Sequence, residues 1–212
     1  MVAFIHGGAF NFGNNAEDQS SLAKQDMAVV SINYRLGPYG FLYLDQLETG
    51  QISKGNFGLQ DQLAALKWIS MYGGVFGGDK NKVTLDGCSA GSQSAWYHLT
   101  SPNSWPYYHS VVSTGIGLPP SKWEGAATDL IRNTVFQKAK VSSIDELRQK
   151  STAQLKDAFE DTYYAMNPAH KQTPGDPIYG PVIDGNMIQD HQVTLVRKGA
   201  IRKGSTLLSN SN

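Results

Sequence analysis

The sharpest chemical signal in the chain is Gly87-Cys88-Ser89-Ala90-Gly91, which fits G-x-S-x-G. Val83-Thr84-Leu85-Asp86 before it is strand-like, and Ser89–Leu99 has the small residues of a buried helix. In that setting the serine sits on a tight strand-to-helix turn that presents its hydroxyl above a sheet as a nucleophile for acyl transfer. Glycines two residues before and two after it let the flanking backbones approach. His6-Gly7-Gly8-Ala9-Phe10 follows the apolar run Val2–Ile5 and supplies a complementary feature. Small residues in succession bring backbone N–H groups close to a substrate, where they hold a developing oxyanion. Gly8 and Ala9 are the candidate donors, with the N–H of Ala90 as a third. One such donor is worth about 3 kcal/mol in the transition state.

The remaining titratable residues have structural roles open to them as well as chemical ones. His6 is placed to orient the Gly-Gly loop, whereas His98 and His109 read as structural. Ser89, Asp184 and His191 follow a nucleophile–acid–base order. Seven residues is nevertheless a short path between two groups that come from separate loops. Cys88 reads as a small buried hydrophobe beneath the turn. Phe10, Phe12 and Trp96 fit an acyl pocket or ordinary core packing equally well, and Trp105–Tyr108 reads as a surface loop. Gly73–Gly78 lacks the Lys-Ser/Thr of a phosphate loop, so its glycines serve backbone geometry.

Elements that position these residues follow from periodicity. Val2–Ile5, Met27–Tyr34, Val83–Asp86, Ser110–Thr114, Ile178–Ile183 and Thr206–Ser209 read as strands. Glu17–Gln25 would cross between the first two. Residues 56–72 place Leu59, Leu63, Leu66 and Ile69 at helical spacing. Residues 121–166 are mostly helical, in segments near 122–139, 143–150 and 151–164. Strands alternating with helices predict an α/β fold, a mainly parallel sheet covered by helices on both faces.

Composition narrows the partners. The 212 residues (23.1 kDa) carry 18 Lys+Arg against 18 Asp+Glu, so no basic face for nucleic acid is implied. No apolar run approaches the roughly 20 residues of a membrane span. One cysteine excludes an internal disulfide framework, and neither C-x-x-C nor H-E-x-x-H occurs, so no metal or cofactor is expected. A single domain over 1–212 is expected, with oligomeric state and compartment left open.

The blocks HGGAF (6–10), VVSINYRLGPYGFL (29–42), GNFGLQDQLAALKWI (55–69), FGGDKNKVTLDGCSAG (76–91) and GPVIDG (180–185) resemble the type-B carboxylesterases, the cholinesterase-like branch of the α/β-hydrolases. The resemblance implies Ser89 as nucleophile, Gly8, Ala9 and Ala90 as oxyanion hole, and a small-molecule carboxylic ester as substrate. It also implies a buried Arg35–Asp61 ion pair and a structural role for Asp184. Members of the family usually run to more than twice this length and carry a glutamate or glutamine where Cys88 stands. Their acid follows a pattern that Leu207–Asn212 begins, and their histidine lies further on. The expectation is therefore a chain truncated at both ends, starting inside a strand without a leader, inactive by itself for lack of acid and base. The alternative function is a catalytically inactive cholinesterase-like adhesion or binding protein.

Overall fold

Short β-branched and apolar runs form strands, and the longer periodic stretches form helices between them. The computed structural model describes residues 1–44, 54–115, 122–123, 126–166, 178–204 and 206–209. In chain order these give β1 (Val2–Ile5), α1 (Ser20–Ala23), β2 (Val29–Ile32), α2 (Gly37–Phe41), α3 (Phe57–Tyr72), β3 (Thr84–Cys88) and α4 (Ala90–Thr100). There follow β4 (Ser110–Thr114), β5 (Lys122–Trp123), α5 (Ala126–Ala139), α6 (Ile144–Arg148), α7 (Thr152–Met166), β6 (Val182–Ile183), α8 (Gln192–Arg197) and β7 (Thr206–Ser209). Five strands make one sheet in the order β2-β1-β3-β4-β7, with every neighbouring pair parallel, while β5 and β6 form a separate parallel pair.

That order places the site. From β1 the chain crosses to β2 on one side, and from β3 it crosses to β4 on the other. The connections leaving β1 and β3 therefore diverge, and a crevice opens at their carboxyl ends. Register sets what faces what. Ile5 pairs with Gly87 and Cys88 with Thr114, so the loop after β1 and the turn after β3 leave the sheet side by side.

Helix α4 is buried along all eleven residues, which explains its small side chains. It lies on the sheet face that carries Ile5, Leu85, Gly87, Val111 and Ser113, with the Ser92 and Ser113 hydroxyls 2.5 Å apart. Helix α3 is tied to it by Gln62, whose side chain bonds Ser94 and His98 of α4, and buries Leu59, Leu63, Leu66 and Ile69, the four positions the sequence spacing singles out.

Several expected boundaries shift. The crossover at 17–25 contracts to α1, none of whose residues is buried, so nothing rewards a longer helix. Residues 122–123 pair as strand before α5 begins, and the late strand shrinks to Val182–Ile183. Trp105–Tyr107 form a 3₁₀ turn rather than an open loop, and Tyr108 is fully buried with its hydroxyl donating to the carbonyl of His98.

Candidate active site

Ser89 holds φ 55° and ψ −119° between β3 and α4, a conformation an L-residue adopts only when its surroundings impose it. Three contacts do so. The Ser89 N–H donates to the Thr114 carbonyl (3.1 Å), and the Ser89 carbonyl accepts from the Gln93 N–H (3.1 Å). Close approach of the glycines completes the turn. A Cβ on Gly87 would lie 2.1 Å from the Gly91 oxygen, and one on Gly91 would lie 2.0 Å from the Ile5 oxygen. The G-x-S-x-G spacing is thus a steric requirement of seating α4 against β1 and β3.

The loop after β1 reaches the same place. A Cβ on Gly7 would stand 3.0 Å from the Ser89 Cβ and 3.6 Å from its Oγ. Gly8 has φ +110°, and a side chain there would meet the Phe12 oxygen at 1.9 Å; Ala9 and Phe10 also have positive φ, 51° and 62°. Carbonyls pin this strained loop. His6 Nδ1–H donates to the Gly7 oxygen (2.7 Å), and the Gly8 oxygen accepts from the N–H groups of Asn11 (2.9 Å) and Phe12 (3.0 Å). In a trans peptide the C=O and the following N–H point in opposite directions. Fixing the Gly7, Gly8 and Ser89 carbonyls therefore fixes the directions of the Gly8, Ala9 and Ala90 N–H groups. Asn11 Nδ2 further donates to the Ala9 oxygen (2.8 Å).

His6 itself is buried, stacked on Tyr34 with ring centroids 4.5 Å apart, and its main-chain oxygen accepts from the Tyr34 hydroxyl at 2.9 Å. Burial, aided by the charge of Glu17, raises the Tyr34 pKa, so this hydroxyl stays protonated and donates. Gly13 makes room for the imidazole, since a Cβ there would lie 2.6 Å from Nδ1. Asn11, Gly13, Tyr34 and Thr114 support the site without any motif to announce them.

Other expected residues fall elsewhere. His98 is wholly buried between Ser104 Oγ (2.7 Å from Nδ1) and Gln62 Oε1 (3.0 Å from Nε2), and burial depresses its pKa to about 4. His109 Nδ1 accepts from the Val83 N–H at 3.2 Å. Asp184 caps a turn, its Oδ1 accepting from the N–H groups of Asn186 and Ile188 and its Oδ2 from Asn56. His191 precedes α8, where Gln192 bonds Thr100 at the far end of α4. An eleven-residue helix spans about 16 Å, so the order Ser89, Asp184, His191 does not assemble around the serine. His170 lies outside the described residues.

Two expectations are corrected. Cys88 is exposed rather than buried beneath the turn. Alternation along β3 directs Leu85 and Gly87 toward α4, so Cys88 points to the opposite, more open face at the strand's end. The Arg35–Asp61 pair is bidentate (2.7 and 2.9 Å) but the Arg35 side chain is 52% exposed, because it leaves the sheet beyond β2, with Phe57 stacked on the guanidinium. Asp61 hydrogen bonding raises the Arg35 pKa.

Beside the loop opens a cleft of about 780 Å³, bounded by Ala9, Asn11, Phe12, Tyr34, Tyr39 and, from α7, Lys156, Phe159, Glu160 and Tyr163. Phe12 lines it, whereas Phe10 and Trp96 belong to the core. Among the described residues no three His, Cys, Asp or Glu side chains cluster to hold a metal ion, and no helix is long and apolar enough to cross a membrane.

A parallel sheet with an elbow serine at its divergence point defines an α/β-hydrolase. The chain belongs to the carboxylesterase family, whose sequence profile matches residues 1–212. Acetylcholinesterase 1 of Caenorhabditis elegans is 29% identical over 221 residues, covering 100% of this chain and 35% of that protein. Neuroligin-3 of Mus musculus is 32% identical over 210 residues, covering 94% of this chain and 23% of that one. The crystal structure of a Geobacillus stearothermophilus carboxylesterase superposes with a TM-score of 0.83 at 30% identity, covering 98% of this chain and 44% of the other. The chain spans less than half the length of each of these relatives.

Proposed function

We propose that this chain carries the nucleophile and oxyanion hole of a serine carboxylesterase acting on a small-molecule ester. Ser89 Oγ attacks the ester carbonyl. The N–H groups of Gly8, Ala9 and Ala90 hold the oxyanion, the alcohol departs, and water hydrolyses the acyl-enzyme. The general base is a histidine, oriented by an acid. His6 acts as a positioning residue through the Gly7 carbonyl, and the aromatic cleft beside Ala9 takes part of the ester. One observation carries this reading: Ser89 keeps its strained turn directly against a loop whose amide directions are set by pinned carbonyls.

Likeness to neuroligin-3 supports a second reading, a non-catalytic binding protein on the same fold. Steady-state hydrolysis of a short-chain 4-nitrophenyl ester by the native protein separates the two. Turnover that disappears in Ser89→Ala supports the esterase. Turnover equal in both proteins, or none in the native protein, supports the binding reading.

A further inference from the structure

A second cavity, of about 480 Å³, lies between α2 and α3 on one side and α6 and α7 on the other, and neither Ser89 nor the loop after β1 lines it. Its size falls in the range of roughly 300–1,000 Å³ that small-molecule sites occupy. Leu42, Leu44, Ile144, Leu147 and Leu155 give it an aliphatic interior. Leu42, Ile144 and Leu147 are each at most 8% exposed, so this is a hollow among packed side chains and not apolar surface left bare.

Charge says what the hollow takes. Among the described residues that line it, the charged ones are Arg35 and Arg148, and none is acidic. The bidentate bond to Asp61 already neutralises Arg35. Arg148 is held far less firmly. Its neighbour Asp145 is 3.5 Å away and the two side chains are 64% and 83% exposed, an ion pair worth little in water. One guanidinium is therefore available at an aliphatic hollow. Its planar fork of donors fits a carboxylate, whereas an apolar cation would be repelled and a dianion would exceed the charge on offer.

The hollow also adjoins the candidate active site. Tyr39 and Phe159 line both it and the cleft beside Ala9, their rings edge to face with centroids 5.2 Å apart, so the two spaces share one wall. We propose that this second cavity binds an amphipathic carboxylic acid, its aliphatic chain among Leu42, Leu147 and Leu155 and its carboxylate on Arg148. The acid is also the class of product that ester hydrolysis releases across the shared wall. That link rests on the esterase reading above, and the binding does not.

Equilibrium dialysis of radiolabelled decanoate against the native protein at pH 7 tests this. Saturable binding with a Kd below roughly 1 mM is expected. Arg148→Gln and Leu155→Glu change residues that line the second cavity and not the cleft, and each should weaken binding roughly 10-fold at an unchanged Tm. Decyltrimethylammonium, with the same chain and the opposite charge, should not compete. Ser89→Ala should bind decanoate as the native protein does, so that failure of the esterase reading and failure of this one are read separately. No saturable binding, binding that neither cavity variant weakens, or equal competition by the cation overturns the proposal.

Discussion

Replacing Gly91 by alanine tests how the site is built. The new methyl carbon would lie 2.0 Å from the Ile5 oxygen, 2.8 Å from the Ile5 carbonyl carbon and 3.0 Å from the His6 oxygen, all main-chain atoms of β1 and the loop that follows. Ordinary contact requires about 3.4 Å, so α4 and β1 must separate by more than 1 Å. That movement carries Ser89 and Ala90 away from Gly8 and Ala9. A misplacement of this size lowers kcat/KM by about 100-fold. Overpacking costs about 1–3 kcal/mol, or roughly 2–12 °C in Tm for a domain of this length. Gly185→Ala is the control: Gly185 has φ +74° with nothing within 4 Å, so alanine there strains the backbone without moving the site. Ester turnover and Tm measured on both variants separate displacement from destabilisation. Gly91→Ala with native kcat/KM, or Gly185→Ala with an equal loss of activity, would refute this steric account of the elbow.

Three further outcomes follow from the same structure. Phenylalanine at His6 keeps a ring against Tyr34 but removes the donor to the Gly7 carbonyl; kcat should fall roughly 10- to 100-fold with KM little changed, and equal effects on both would remove His6 from the positioning role. Buried His98, with a pKa of about 4, binds its proton later than the unfolded chain does near pH 6.5. Its contribution to stability is therefore complete above pH 6.5 and is lost as pH falls toward 4, roughly 3 kcal/mol in all; urea midpoints should show that loss in the native protein and less of it in His98→Gln. Burial raises the Asp86 pKa, so its charge disfavours folding at neutral pH; Asp86→Asn should raise Tm at pH 7 and leave it unchanged near pH 3, and a lower Tm at pH 7 would contradict this.

Much of the site was legible in the sequence because its requirements are local. Gly87, Ser89 and Gly91 lie within five residues, and their steric reason holds wherever a strand turns directly into a buried helix. The helical spacing of Leu59, Leu63, Leu66 and Ile69 likewise needs nothing but the chain itself. Partners brought together by the fold carry no such mark. Asn56 Nδ2 donates to the Val182 carbonyl and its Oδ1 accepts from the Val182 N–H, across 126 residues of sequence. Nothing in either segment names the other. Thr114 and Tyr34 are hidden in the same way, each readable as an ordinary strand-end residue until register sets it beside Ser89 or His6. The exposure of Cys88 depends on which face of β3 it occupies, and that follows from how α4 packs on the sheet.

The central claim is that Ser89 is a nucleophile, and covalent labelling of the native protein with a fluorophosphonate addresses it directly. Intact mass followed by peptide mapping should show one adduct on the native protein, located at Ser89 and absent from Ser89→Ala. A native protein that takes up no adduct, or one labelled at another residue, would contradict the claim.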